Sequence, residues 1–267
     1  MERSRLKNII ILILVLVNVS LLSSLVYRKS EELNMLRRTE DELVALFAAS
    51  DVELSRSAIS WDEPPAGVSM TRSTQREREF AQALLGENLR ESSQGGISAY
   101  RSASGAVQFR SGGSFDAVLS ASPADTEDFC KDLCRSFSFG DPVFTLDEEG
   151  SGTAMATYEY EKKPVYNCTL TFTISQGALT AISGTLLPQT GTPSTGEDLL
   201  SCAAALTAFQ QMRREEGTVG SSISSTYLCY ELQSPPSAPM ALSSAWCIVT
   251  DIASYYVNCS TGAITVG

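Results

Sequence analysis

A stretch of 20 residues without a charge lies near the start of this 267-residue chain, at Asn8–Tyr27, and 15 of them are apolar or aromatic. As a helix, this stretch would span roughly 30 Å, which matches the hydrocarbon core of a bilayer. A helix is also the one open structure that satisfies its own backbone hydrogen bonds in lipid. The segment therefore predicts one N-terminal transmembrane helix at residues 8–27.

The charges around this segment predict its orientation. Three basic residues lie in the leader at residues 1–7, which the positive-inside rule places in the cytoplasm, although two more basic residues follow the segment. A cleaved signal peptide is the alternative, because the run Ile9–Val17 has the length of a signal-peptide core, but no A-x-A-like cleavage site follows it. Both interpretations place the remainder of the chain outside the cytoplasm, and the uncleaved form would be a single-pass protein of the cell membrane.

The charge and composition of the chain exclude several classes of function. The net charge is −11, and the first 27 residues carry +2, so the exported part is strongly acidic and repels nucleic acid. Histidine is absent, which excludes Ser-His-Asp and Cys-His catalysis and removes imidazole as a metal ligand. We expect no nucleic-acid partner, no cofactor, no metal ion and no enzymatic activity.

Helical spacing of apolar residues recurs in four segments of the exported part. A helix over residues 30–49, followed by a weak strand at Val52–Ile59, forms a juxtamembrane region at residues 28–60. The other predicted helices are Thr74–Leu85, which ends at Gly86, then Asp125–Phe137 and Glu197–Arg214.

Alternating apolar and polar residues predict strands from Ile97 onward. The clearest is Val165–Ile174, where the even-numbered residues 168–174 are apolar and face one way, while three threonines face the other. The further predicted strands are Pro142–Leu146, Thr153–Glu161, Ala178–Leu187, Ile223–Leu232, Trp246–Ile252 and a hairpin from Tyr255 to Val266. Residues 188–196 and 234–237 are rich in Pro and polar residues and indicate loops.

A short motif recurs at three predicted hairpin turns. Gly-Ala-aliphatic stands at Gly105, Gly177 and Gly262. The last two follow a helix and several strands, which predicts a repeated unit used at least twice. The fold class is therefore α+β: one transmembrane helix followed by repeated helix-plus-antiparallel-sheet units, with an N-terminal part at residues 61–122 and a C-terminal domain at residues 123–267.

Seven cysteines occupy apolar positions of these elements without the spacing of a C-x-x-C site. Free thiols packed as small hydrophobic groups are the simplest interpretation. Disulfides outside the cytoplasm are the alternative, with a pair among Cys229, Cys247 and Cys259. The acidic run 147–149 before Gly150 is typical of a solvated turn and lacks the ligand spacing of a calcium loop.

Several segments resemble a bacterial family, the YycI-type regulators related to YycH. The resemblance lies in the basic leader and anchor, in Ala83–Gly86, in Tyr100–Phe109, in Pro164–Asn167 with Gly177 and, most strongly, in Ala245–Ile248 with Tyr255–Gly262. That ending is also similar to the hairpin of PepSY-type domains. The resemblance implies an accessory protein without catalytic activity that regulates an essential sensor histidine kinase in the membrane of Gram-positive bacteria, beside a YycH-like companion.

The contact residues follow from this interpretation. Asn18 and Ser20 are candidates for contact with a neighbouring membrane helix, because polar side chains form hydrogen bonds between helices in lipid. Trp246, Tyr255 and Tyr256 are candidates for contact with a partner, although aromatic residues on a sheet more often belong to the core. The alternatives are a PepSY-like envelope module that inhibits a protease or binds a peptide, and a hydrolase that uses two converging carboxylates.

Overall fold

The computed structural model describes residues 2–195, 198–217, 220–234 and 239–267. Within the helices, the side chains of residues 2–13, 15, 26, 32 and 216 lie outside this description. The helices are α1 (Glu2–Ala48), α2 (Thr74–Leu85), α3 (Thr126–Ser136) and α4 (Cys202–Glu216), with a short 3-10 turn at Arg56–Ala58. The strands are β1 (Glu53–Leu54), β2 (Val68–Met70), β3 (Arg90–Gln94), β4 (Ile97–Ser102), β5 (Gly105–Phe109), β6 (Ser114–Leu119), β7 (Val143–Leu146), β8 (Gly152–Tyr160), β9 (Lys163–Ser175), β10 (Ala178–Thr185), β11 (Thr192–Pro193), β12 (Ser222–Gln233), β13 (Met240–Thr250), β14 (Ser254–Asn258) and β15 (Ile264–Val266).

Helix α1 is continuous through the predicted anchor and the predicted juxtamembrane helix. Every described side chain from Leu14 to Met35 is exposed, whereas Leu43 and Phe47 near the end of the helix are buried. Within the described part of the chain, none of the helices is long and apolar enough to cross a membrane. Eight residues of the predicted anchor, 8–13, 15 and 26, have side chains outside the described ones.

All the strands belong to one 15-stranded mixed sheet. The main path runs β11-β2-β13-β12-β9-β10-β6-β5-β4-β3, with β14 and β15 beyond β13 and with β8 and β7 beyond β9. Helices α2, α3 and α4 are each followed by four antiparallel strands, so the predicted helix-plus-sheet unit occurs three times. The α+β class is confirmed.

The three Gly-Ala-aliphatic motifs lie at hairpin turns, as predicted. Gly105 begins β5 opposite Ser102, Gly177 precedes β10, and Gly262 precedes β15. All three glycines have positive φ angles, of 148°, 76° and 72°. The same local chemistry therefore closes one hairpin in each of the three units.

Two large cores lie against this sheet. Core 1 packs α2 and α3 on β4–β6 and β8–β10, and it includes Phe80, Phe109 and Phe172 at 0% exposure. Core 2 packs the end of α1 and helix α4 on β12–β14, where the rings of Phe47 and Phe209 lie 6.5 Å apart. The predicted alternation of side chains along β9 is confirmed, because all four of its apolar residues from 168 to 174 are buried in core 1.

Some predicted boundaries differ from the structure. Helix α4 begins at Cys202, because Ser201 caps it by accepting a hydrogen bond from the amide of Ala204 at 3.4 Å, and the predicted start at Glu197 lies outside the described residues. Strand β13 begins at Met240 rather than at Trp246, since its first residues pair with β2. The predicted loop at 188–196 contains the two-residue strand β11. Most of the predicted loop at 234–237 lies outside the described residues.

Candidate functional site

The predicted aromatic contact residues lie on opposite faces of one sheet. Trp246 is fully buried in core 2, and its indole Nε1 donates a hydrogen bond to the carbonyl oxygen of Leu200 at 2.9 Å. Tyr255 is also in core 2, with its ring 4.9 Å from that of Phe209. Tyr256 projects from the other face of β14, so Trp246 and Tyr256 do not border one groove. Alternation along the strand is the physical reason.

Tyr256 belongs to a small aromatic cluster behind the sheet. Its ring stacks on that of Tyr166 with the centroids 3.7 Å apart and the planes 7° from parallel. The thiols of Cys229 and Cys247 are buried in the same cluster. Burial raises the pKa of Tyr256 to about 12, so its hydroxyl stays protonated at neutral pH. The cluster is a packed set of rings and thiols rather than an open cleft.

Asn18 and Ser20 lie on α1, and both side chains are exposed. They lie 18 and 16 positions before Leu36, the first described side chain of the helix that is partly covered. Asn18 and Ser20 are therefore free of contacts with the folded domain.

All seven cysteines are free and buried, which confirms the hydrophobic interpretation of these residues. Burial raises the pKa of Cys130, Cys134 and Cys168 to about 12. A thiol with so high a pKa is a poor nucleophile at neutral pH. Within the described residues, no group of three or more acidic or thiol side chains could hold a metal ion.

A polar pocket lies where α2 begins. Its walls are the end of β2, the first turns of α2 and residues 188–192, which end at the first residue of β11, and its volume is about 460 Å³. Hydroxyl groups line much of it, from Ser69, Thr71, Ser73, Thr190 and Thr192. Ser73 caps the helix by accepting a hydrogen bond from the amide of Arg76 at 3.3 Å.

Arg76 is the basic residue in the wall of this pocket. It is only 6% exposed, and the guanidinium lies 5.0 Å from the ring centre of Phe137. Its Nε donates a hydrogen bond to the carbonyl oxygen of Leu187 at 3.2 Å, while its buried Nη2 has no hydrogen-bond partner among the described residues. Burial lowers the pKa of Arg76, but a guanidinium remains charged at neutral pH.

A second arginine nearby shows the usual arrangement for a partly buried cation. Arg72 forms an ion pair with the buried Glu77 and donates further hydrogen bonds to Ser98 and to the carbonyl oxygen of Gly96. The ion pair with Glu77 raises the pKa of Arg72. No carboxylate of the described residues forms an ion pair with Arg76 in the same way. Within the described structure the Arg76 guanidinium therefore forms no ion pair, although the carboxylate of Glu79 attracts it from beyond ion-pair distance, and burial of a cation without a direct partner is costly.

Sequence analysis missed this pocket, although one signal was present. Arg76 stands four residues before Phe80 and eight before Leu84, so it lies on the apolar stripe of α2, where a charged residue is unexpected. The strands β2 and β11, which form the opposite wall, have only three and two residues, too few for a periodic pattern. The pocket depends on contacts between residues more than 100 positions apart.

Comparisons with known proteins identify no family for this chain. No family model matches it, and no curated protein matches it. Among solved structures, an uncharacterized protein from Eubacterium rectale is similar with a TM-score of 0.44 and 13% identity, covering 80% of this chain and 85% of that one. The YpeB C-terminal domain of Bacillus megaterium is similar with a TM-score of 0.38 and 11% identity, covering 74% of this chain and 98% of that domain. No residue role is taken from either structure.

Proposed function

We propose that this chain is a membrane-anchored binding protein whose α+β domain acts outside the cytoplasm by contact with other molecules, without catalysis. The observation that carries the proposal is the exposure of α1. Leu14, Leu16, Leu22 and Leu25 are between 56% and 66% exposed on a helix that extends away from the folded domain. An exposed apolar surface of this kind is unfavourable in water, and a lipid bilayer would bury it. The uncharged segment 8–27 has the length that the hydrocarbon core of a bilayer requires.

The chemistry of the folded domain supports a function by binding rather than by catalysis. Its buried thiols have raised pKa values, which leaves them poor nucleophiles, and the sequence has no histidine to activate them. The basic leader favours a cytoplasmic N-terminus and an external domain.

A finer proposal names the partner. The resemblance of the hairpin β14–β15 and of the preceding strand to YycI-type proteins supports a role as accessory regulator of a membrane-embedded sensor kinase, together with a YycH-like companion. Asn18 and Ser20 would then contact a helix of the partner within the membrane. The second candidate, a PepSY-like module that binds a peptide or inhibits a protease, is supported by the polar pocket at α2.

Membrane extraction with alkaline carbonate tests the anchor. The wild-type full chain should stay in the membrane pellet. The double variant Val17→Arg/Leu21→Arg should move to the soluble fraction, because each arginine costs about 2.5–3.5 kcal/mol at the centre of a membrane helix. The matched control Leu33→Arg/Met35→Arg adds the same charge to exposed positions beyond the anchor and should stay in the pellet. A wild-type chain in the soluble fraction would refute the anchor.

The partner proposal has a separate test. Asn18→Leu/Ser20→Leu keeps the segment apolar but removes the hydrogen-bonding groups, so it should leave membrane retention intact and change the output of the kinase in cells. The control Val17→Leu/Val19→Leu alters neighbouring positions without removing a polar group. Unchanged kinase output in the first variant would argue against pairing through these two residues.

A further inference from the structure

We propose that the pocket at the start of α2 binds a small zwitterion of the amino-acid or short-peptide class, with its carboxylate on Arg76 and its ammonium group facing Glu79. The inference goes beyond the anchored binding protein proposed above and does not depend on the membrane segment. It rests on a buried guanidinium that forms no ion pair with the described residues, a helix start, an acidic rim and a pocket of suitable size.

The carboxylate position follows from Arg76. Its Nη2 is buried and makes no hydrogen bond, and no carboxylate of the described residues forms an ion pair with it. A guanidinium presents a planar fork of N–H donors that matches the two oxygens of a carboxylate. A bound carboxylate would therefore give this buried guanidinium the ion pair that the described residues do not supply.

The start of α2 adds to the same preference. The helix has 12 residues, and its first turn forms part of the pocket wall through Ser73, Gln75 and Arg76. The first amide groups of a helix and its dipole favour negative charge at this end. The helix start and the arginine therefore attract the same ligand group.

Glu79 decides between a simple anion and a zwitterion. Its side chain is exposed in the wall of the pocket, three positions after Arg76, and accepts a hydrogen bond from Gln75 Nε2 at 3.0 Å. Residues three apart on a helix are neighbours, so the ligand meets a positive and a negative group side by side. A phosphate dianion would be repelled by Glu79, whereas an ammonium group beside a carboxylate pairs with both charges.

The size and lining of the pocket fit this class. A volume of about 460 Å³ lies within the range of pockets for small molecules, roughly 300–1,000 Å³. Hydroxyl groups of Ser69, Thr71, Thr190 and Thr192 line the remaining wall and can form hydrogen bonds with an amide or a second polar group. The pocket therefore has room for an amino acid or a dipeptide.

Titration calorimetry of the full chain in detergent tests the inference. The probes are L-alanine and L-alanyl-L-alanine, with acetate, methylammonium and inorganic phosphate as single-charge comparisons. We expect L-alanine or the dipeptide to bind about tenfold or more tightly than acetate. The variant Arg76→Gln should weaken that binding by about tenfold or more, the range of a lost hydrogen bond to a charged group. Whichever of the two zwitterions binds more tightly identifies the ligand as an amino acid or as a short peptide.

Two variants make the outcome decisive. Arg78→Gln removes the same charge from an exposed position on α2 outside the pocket, and it should bind as the wild type does. Glu79→Gln changes an exposed side chain and should abolish the preference for alanine over acetate, which decides the matter even if Arg76→Gln does not fold. Phosphate or acetate binding as tightly as alanine, equal affinities for the wild type and Arg76→Gln, or no binding at millimolar concentrations would each overturn the inference.

Discussion

Cys168 illustrates how burial of a single side chain links stability to pH. Its thiol is fully buried in β9, donates to the carbonyl oxygen of Thr185 at 3.4 Å, and has its pKa raised to about 12. In the unfolded chain a thiol ionises near pH 8.5. The stability that this thiol contributes is therefore fully present below about pH 8.5 and is lost as the pH rises toward 12.

We expect Cys168→Ala to make the free energy of unfolding less sensitive to alkaline pH. Between about pH 9 and 11, the slope of unfolding free energy against pH should become shallower by about 1.4 kcal/mol per pH unit, the effect of one proton. Urea titrations at several pH values measure it. Thr169→Ala, at the next position on the opposite face, should keep the wild-type slope. Identical slopes for both variants would show that Cys168 ionises in the folded protein.

The two tryptophans of the chain differ in burial, although both are hydrogen-bonded. Trp246 is fully buried, while Trp61 is 41% exposed and donates to Glu40 Oε1 at 3.0 Å. We expect Trp246→Phe to lower the free energy of unfolding by about 1–3 kcal/mol, because the carbonyl oxygen of Leu200 loses its donor. Trp61→Phe should change it by less than about 0.5 kcal/mol. Urea denaturation measures both, and an equal loss in the two variants would contradict the burial of Trp246.

At the scale of single elements, local patterns predicted helices and central strands well. Helix α2 occupies the predicted range Thr74–Leu85, and α3 lies within one residue of its predicted bounds at each end. These elements carry their own signals, a capping Ser73 or Asp125 and an apolar stripe. The strands β2 and β11 carry no such signal, since each is defined by pairing with a distant segment rather than by its own sequence.

The predicted contact residues show the same limit. Alternation along β14 indicates that Tyr255 and Tyr256 face opposite ways, but the sequence does not indicate which face α4 covers. Arg76 was missed for a related reason. What distinguishes it is the lack of an ion pair, and the sequence does not show which charged residues lie near it. A site built from long-range contacts and a buried charge without an ion pair is visible only when the elements are packed.

The hairpin that joins β4 and β5 depends on a glycine at one position. Gly105 has a φ of +148°, and a Cβ atom there would collide with the carbonyl oxygen of Val118 and lie 3.0 Å from the Cα of Leu119. Gly177, at the β9–β10 hairpin of the second unit, has a φ of +76° with no atom within 4 Å of such a Cβ. The first position is therefore restricted by both φ and space, and the second by φ alone.

We expect Gly177→Ala to cost about 1–2 kcal/mol, the usual penalty of a left-handed conformation for an L-residue. Gly105→Ala should cost more than Gly177→Ala, because strand β6 must move to relieve the collision. Thermal unfolding of the two variants measures the difference. An equal loss in both would show that the β5–β6 edge yields without cost.

At the scale of the whole molecule, β12 connects core 1, core 2 and the small aromatic cluster around Tyr256. Leu228 lies in core 2, Cys229 in the small cluster with Tyr256, and Tyr230 in core 1. Tyr230 also pairs with Val165 of β9, which joins the strands of the second unit to those of the third. Three successive residues of one strand therefore connect the packing of α4 to that of α2 and α3. Unfolding of β12 would expose apolar side chains of both large cores to solvent.

This connection predicts one cooperative unfolding transition for the folded domain. Phe172→Ala in core 1 and Phe209→Ala in core 2 should each lower the free energy of unfolding by about 3–5 kcal/mol. Within each variant, two probes should report the same lowered urea midpoint. The fluorescence of Trp246 reports on core 2, and the hydrogen exchange of β8–β10 reports on core 1. If Phe209→Ala lowered only the urea midpoint reported by Trp246 fluorescence, β12 would not couple the cores. The units would then unfold independently, because the β9–β12 pairing, rather than either core, would be the weakest part of the sheet.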